Sequence, residues 1–468
     1  MSKTKARKLL LRAVLPFLLL AAIVVGIYYW FFAPKSYEDL IPAESKAVVT
    51  IDIAQSPQAR ELLTSLAQQW DIDLQGINPK GDVFLVVTPN EYFALVAEVK
   101  DAARLKTTIN TLASKQKVIN VQQADGITYA WIQAGWQLAV SDKALAIVGP
   151  GTVQQQPELQ QTLRQMYRSP RSQSFRHSDY YDSFSSLHGA VRLYARLNVL
   201  PAPFNMFFRM NLPSDADPSR VALYAGVEAD DAAKPILLKG SIKSLDEATE
   251  AALTNFERQS ASITAETLEN INDDVLCFFA AAPPTGHLLK LMRSDAKTRS
   301  MLLALNQTIN ANSLLDAING NVSLTLTSLD KDFTPTFFFE GKTGREDLMK
   351  DAPKWMEKAA SQKDVSLVKE GEGYCLTGKD GTLRFGQHGD RLYFRSSATP
   401  YTQSSATGSL SAKAVGSKMF MHLNLKKLFE QPCIPSDASS LLSRFYGNAS
   451  ALTYKQSEGG KVEIIINR

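Results

Sequence analysis

The densest cluster of side chains able to do chemistry is RSPRSQSFRHSDYYDSF, residues 168–184. Arg168, Arg171, Arg176 and His177 offer cations and hydrogen-bond donors, and Tyr180 and Tyr181 set flat rings beside them. Arginine and tyrosine concentrate binding energy at interfaces. The combination therefore predicts contact with an anion, peptidoglycan or a protein partner, with a solvated surface loop as the plain alternative. Downstream, VLPAPFNMFFRMNLP (199–213) carries Phe204, Phe207 and Phe208 between two expected strands. Exposed, such a patch suits a partner protein or a lipid surface; otherwise it is a short helix packed on its own sheet. The stretch 168–213 is the candidate partner-binding region.

Residue patterns that make or break bonds are missing. There is no GxSxG elbow, HExxH helix, phosphate-binding loop or GxGxxG turn. The five histidines, His177, His188, His287, His388 and His422, never pair at i, i+4. His422 and Arg196 occupy matching places in two expected strands, so that position is expected to face solvent or a partner. Asp71 with Asp73, and Asp330 with Asp332, have the spacing of one strand face or a loop. Without further acids they are expected to be solvated, not to act as acid–base pairs or calcium ligands. Cys277, Cys375 and Cys433 show no CxxC spacing, and an odd number cannot all pair. Cys277, inside VLCFFAA, is expected to be a buried thiol; whether Cys375 and Cys433 are bonded stays open. The expectation is a non-enzymatic protein with no catalytic, cofactor-binding or metal-ligating residues.

The elements that position these residues begin with AVLPFLLLAAIVVGIYYWFF (13–32), twenty residues without a charge. At 1.5 Å per residue such a run matches a hydrocarbon core of about 30 Å. Lys3, Lys5, Arg7, Lys8 and Arg12 precede it, which predicts a cytoplasmic N-terminus. Tyr28 to Phe32 close it like an aromatic belt. A cleaved signal peptide fits less well, because the apolar run is long and bulky aromatics occupy the place of a small-residue cleavage site. The expected layout is a basic tail (1–12), a transmembrane signal anchor (13–32) that meets the bilayer, a short stalk (33–45) and a body outside the cytoplasm. The chain has 51 basic and 47 acidic residues; six basic and no acidic ones fall within 1–35, leaving 45 against 47 beyond it. A body of that balance gives no reason to expect nucleic acid.

The body reads as two similar halves. LYARLN (193–198) echoes MFMHLN (419–424) at an offset of 226 residues, and other segments align in the same order. GDVFLVV (81–87) matches GNVSLTL (320–326), and KPILLKGSI (234–242) matches KVEIIINR (461–468). Alternating apolar runs predict strands. Ser56-Pro57 opens one expected helix, with Leu62, Leu66 and Trp70 on its apolar face. Asp101 opens another, with a stripe of Leu105, Ile109 and Leu112. Thr343 and Glu346 have capping-box spacing before a helix that Pro353 is expected to bend. Asp125-Gly126 and Asp380-Gly381 are hairpin turns. Ser244 and Glu247 are expected to cap a connecting helix. The predicted fold is α+β: behind the transmembrane helix, two tandem, internally duplicated units (46–243 and 273–468) joined by a connecting helix (244–272). Each is an antiparallel sheet with helices packed on one face. From Gly149 to Gly189 the first half runs 40 residues where the second, Arg395 to Gly416, runs 21. The surplus is an expected helix from Pro157 to Tyr167, with Leu159, Leu163 and Met166 on one face, and then the arginine- and tyrosine-rich stretch.

The opening of the body, YEDLIPAESKAVVTIDI (37–53), carries Ile41-Pro42-Ala43 and then Val48, Val49, Ile51 and Asp52. This resembles a family of uncharacterised membrane-anchored envelope proteins of Bacteroides-type bacteria. The order of strands and helices extends the likeness over most of the body. Many of those relatives are lipoproteins, whereas here no cysteine follows the apolar run. The resemblance implies a bacterial, extracytoplasmic protein and supplies no activity.

The functional expectation is a non-enzymatic binding or scaffold protein of the envelope that engages another envelope protein through 168–213. The alternative is a carrier or sensor of a lipid, peptide or glycan held in a groove between sheet and helices. A hydrolase would need a serine, a histidine and a carboxylate to converge.

Overall fold

The computed structural model describes residues 36–55, 64, 76–132, 135–199, 208–227, 235–265, 274–332, 334–379, 381–396, 410–434 and 449–467. The expected span 13–32, the expected helix after Ser56-Pro57 and the pair Asp71 and Asp73 lie outside them. No helix among the described residues is long and apolar enough to cross a membrane. The chain divides into two compact bodies, Met1–Ser186 and Leu187–Arg468.

In the first body, β1 (Ala47–Asp52), β2 (Asp82–Val87), β3 (Phe93–Glu98), β4 (Val118–Ala124), β5 (Ile127–Ile132), β6 (Trp136–Val140) and β7 (Ala144–Gly149) pair in the order β1-β2-β3-β7-β6-β5-β4. Every pair is antiparallel. Between β4 and β5, Asp125 and Gly126 both adopt positive φ, 53° and 77°. That is the turn geometry whose twist matches a tight hairpin. Helix α1 (Ala102–Ser114) starts where Asp101 accepts a hydrogen bond from the Arg104 amide at 3.0 Å. Its Leu105, Ile109 and Leu112 are buried against Ala130, Leu138 and Ile147 on one face of the sheet. Helix α2 (Gln156–Arg168) covers the other face, with Leu159, Leu163 and Met166 buried. Its Tyr167 hydroxyl donates to the Ala139 and Ala144 carbonyls at 3.0 and 2.9 Å.

The second body holds thirteen described strands. The first three are β8 (Val191–Arg196), β9 (Val221–Val227) and β10 (Ile236–Ser244). The rest are β11 (Cys277–Ala281), β12 (Ile318–Leu329), β13 (Pro335–Thr343), β14 (Ser366–Glu370), β15 (Gly373–Gly378), β16 (Gly381–His388), β17 (Arg391–Arg395), β18 (Met419–Asn424), β19 (Ala451–Gln456) and β20 (Lys461–Asn467). Strands β8, β9, β10, β20, β19, β18 and β11 lie side by side in that order, and β12-β13-β17-β16-β15-β14 continue from β11.

The expected fold of two tandem α+β units with helices on one face is corrected here. The described residues form twenty strands, all paired antiparallel, with ten α-helices: the protein is richer in strands than expected. The order β1-β2-β3-β7-β6-β5-β4 does recur as β11-β12-β13-β17-β16-β15-β14. But β10, expected in the first unit, pairs from Ile236 to Ser241 with Ile466 to Lys461 of β20. Its sheet is shared with the far end of the chain. Nor are helices confined to one face. Along β11, Cys277, Phe279 and Ala281 enter one apolar core while Phe278 and Ala280 enter another. A strand buried on both faces reads as a continuous apolar run, as CFFAA does.

Two caps also move. Helix α4 (Glu247–Gln259) is capped by Asp246, which accepts from the Thr249 amide at 2.8 Å, while Ser244 donates to the Asp246 carbonyl. Helices α5 (His287–Ser294), α6 (Ala296–Asn306) and α7 (Ala311–Asp316) precede β12. Helix α8 (Ala352–Ala360) begins after Asp351 rather than at Thr343, so Pro353 falls in its first turn. There proline removes an amide that has no partner anyway, and no bend is needed. Ala352, Trp355 and Ala359 are buried. Two short helices, α9 (Leu410–Ala414) and α10 (Leu425–Phe429), flank β18.

Candidate functional site

The segment after α2 folds back on the start of the body. Residues Tyr37–Leu40 form a single 3-10 turn. Its Ser36 and Asp39 make a reciprocal cap: the Ser36 amide donates to Asp39 Oδ2 at 2.8 Å, and the Glu38 amide donates to Ser36 Oγ at 3.4 Å. Asp39 is thereby aimed inward, its side chain 1% exposed. The arginine-rich stretch supplies its counter-charge. Arg171 Nε donates to Asp39 Oδ2 at 2.9 Å, and His177 Nε2 stands 3.5 Å from Oδ1. Arg176 Nη1 lies 2.8 Å from Glu38 Oε2.

Backbone closes the joint. The Ala43 amide donates to the Gln173 carbonyl at 2.8 Å, and the Phe175 amide to the Ile41 carbonyl at 2.7 Å. Below them Leu40, Ile41 and Phe175 are buried. Phe175 packs edge-on against Phe184, of helix α3 (Asp179–Ser185), at 5.3 Å and against Tyr181 at 5.9 Å. Tyr37 packs on Phe84 of β2 at 5.8 Å, and burial drives its hydroxyl well above the ordinary tyrosine range.

The expected binding residues therefore have distinct fates. Arg171, Arg176 and His177 come together, but on the protein's own acids. Arg168 pairs with Asp125 of the β4–β5 turn at the surface, where such a pair contributes little. Tyr180 and Tyr181 are half-buried. Phe204 and Phe207 lie outside the described residues. Phe208 belongs to the second body, buried edge-on against Tyr454 at 5.0 Å. Glu38 and Asp39 were missed in the sequence. Their signal was the Ser36–Asp39 capping spacing and an acid pair matching the downstream cations.

The remaining titratable candidates are structural. Asp330 accepts from the Asp332 and Thr334 amides at 2.9 and 2.8 Å, and these hydrogen bonds hold its carboxyl below the usual range. His422 is buried, where the expectation was a position facing solvent or a partner, with Nδ1 3.0 Å from Thr453 Oγ1. The three cysteines are free, and burial pushes the Cys277 thiol up to about 12. No group of three or more histidine, cysteine or acidic side chains among the described residues is placed to hold a metal.

His287 is the first residue of α5 and is buried. Its Nε2 lies 3.2 Å from the Arg209 carbonyl and its ring packs on Phe256 at 4.7 Å. Desolvation lowers its proton affinity below the ordinary histidine value. The unfolded chain then takes up the proton first as pH falls. Stability of the second body is fully present above about pH 6.5 and is lost progressively as pH drops through the depressed folded value. Urea midpoints at neutral and mildly acidic pH should show this fall, and His287→Gln should flatten it.

The geometry defines a strand-rich, antiparallel protein with an internal electrostatic clamp. The chain belongs to the family described as domain of unknown function (DUF4836), whose profile matches residues 71–444. No curated protein matches it. Among solved structures it is similar to TP0453 in two crystal forms. Form I gives 11% identity and a TM-score of 0.29 over 45% of this chain and 80% of that one. Form III gives 11% and 0.28 over 48% and 87%. Likeness at this level carries no argument about function.

Proposed function

We propose that this chain is a single-pass, membrane-anchored binding or scaffold protein of the bacterial envelope in a Bacteroides-type organism. Its N-terminus lies in the cytoplasm and its body in the periplasm, and it performs no chemistry of its own. The observation supporting this reading is the position of the Asp39 clamp. Only residues 33–35 separate the charge-free run 13–32 from Ser36, where the clamp begins. The chain leaving the bilayer is thus fastened to the body at once, by an ion pair to the buried Asp39 carboxylate and two backbone hydrogen bonds. A body held at short, fixed reach has a high effective concentration for partners in the same membrane.

In-cell crosslinking, purification of the full chain from membranes and mass spectrometry test this. One stoichiometric protein partner is the expected result. Recovery of a stoichiometric glycan or peptide and no protein would overturn it in favour of a carrier. One observation favours that second reading: an open groove of about 920 Å³ between β10 and α4, lined by Lys243, Asp246, Glu250, Asn255 and Arg258 among others.

A further inference from the structure

Helix α6 carries long apolar side chains on its outer as well as its inner side. Leu302 is buried in the core of the second body, 3% exposed, while Leu303 next to it is 65% exposed and Met301 is 49% exposed. At 100° per residue, Ser300 and Ala304 fall between these two on the outer side, and Arg299 lies one turn before Leu303 on the same flank. The inner side needs Leu302 for packing, whereas Leu303 and Met301 stand exposed.

Charge around this face is one-sided. Residues 287–306 hold Lys290, Arg293, Lys297 and Arg299 against a single acid, Asp295. Asp295 is engaged in capping, accepting from the Thr298 amide at 2.9 Å. Lys290, Arg293 and Arg299 are exposed and make no ion pair with a described carboxylate. This contrasts with the clamp and with the rest of the chain beyond residue 35, where acids slightly outnumber bases. Exposed long apolar side chains flanked by unneutralised cations are the pattern of a surface that lies against anionic headgroups. The side chains enter the acyl boundary while the cations meet phosphate.

We propose that the outer face of α6, with Lys290 and Arg293 of α5, is a peripheral docking surface for an anionic lipid bilayer. It is a contact separate from the run 13–32 and does not depend on that run spanning. Charge complementarity selects this occupant. A protein partner of ordinary composition would be expected to meet an apolar centre with a mixed polar rim, not with cations alone.

The test is hydrogen exchange of the full chain with nanodiscs of neutral phosphatidylcholine, or with about 30 mol % phosphatidylglycerol added. Incorporation of the chain into neutral discs reports on the anchor. Protection of 296–306 in anionic over neutral discs reports on the docking face, so failure of one is distinguishable from failure of the other. The expected result is about tenfold slower exchange of these amides in anionic discs, abolished near 0.5 M salt, where screening shortens to a few ångströms. The variant Arg293→Glu/Arg299→Glu/Leu303→Ser should lose it while β11 and β12 exchange as in the native chain. If that variant loosens β11, Lys290→Glu and Arg299→Glu separately should each weaken the protection. Equal exchange in both discs overturns the proposal. So does protection that appears without lipid and grows with protein concentration, which would make the occupant a second copy of the chain.

Discussion

Replacing Arg171 by alanine should loosen the first body by about 2–3 kcal/mol. Removing one partner of a fully buried pair costs about 3–5 kcal/mol, because the other charge is left in a medium that solvates it poorly. Asp39 is such a charge, 1% exposed, but Arg171 is 30% exposed, so water reaches part of the vacated site and the cost falls below that range. Asp39 would keep the Ser36 amide and the neighbouring His177, which limits the loss but does not replace the guanidinium. The change should lower the melting temperature of the first body by about 5–10 °C, at roughly 2–4 °C per kcal/mol for bodies of this size. Amides of 36–43 and 171–178 should exchange together before the rest of the sheet opens. Asp39→Asn combined with Arg171→Met should recover much of the loss, since a neutral pair leaves no orphaned charge. An Arg171→Ala chain that melts like the native one would show that the clamp holds nothing, and the rigid attachment argued from it would fall.

The second large effect is expected at Gly240, in the middle of β10. A methyl group there would sit 1.8 Å from the Tyr224 carbonyl oxygen and 2.6 Å from the Ala225 Cα of β9. Both obstacles are backbone, so no side chain can swing aside. Gly240→Ala should cost about 3 kcal/mol, the upper end for overpacking. Gly240 also faces Val462 of β20 in the register. The damage should therefore spread to 461–467, more than 200 residues away in sequence. Exchange that accelerates in β9, β10 and β20 together is the expected result. If β20 stays protected while β9 and β10 open, the pairing of β10 with the end of the chain is wrong, and a separate first-half sheet returns.

Much of the local structure was legible because it is encoded within a few residues. Asp101 with Leu105, Ile109 and Leu112 predicts α1 and its buried face, since a cap and a 3.6-residue stripe act within one helix. The same logic finds α2 from Leu159, Leu163 and Met166, and Asp125-Gly126 finds its hairpin because the turn demands positive φ at both positions. Pro353 shows where this logic slips. Proline reads as a bend or as a first-turn residue according to where the helix begins, and here it begins at Ala352.

The sequence alone determined helices α1 and α2 with their apolar faces, the hairpin at Asp125-Gly126, and the clustering of cations within 168–177. Only the tertiary structure decided what those cations meet. Asp39 is 132 residues from Arg171, and an ion pair carries no periodic signature that would announce its partner in advance. It also decided that β10 joins β20, that β11 is buried on both faces and that His422 is inside, because alternation marks a strand as half-buried without naming the strand or helix that covers it.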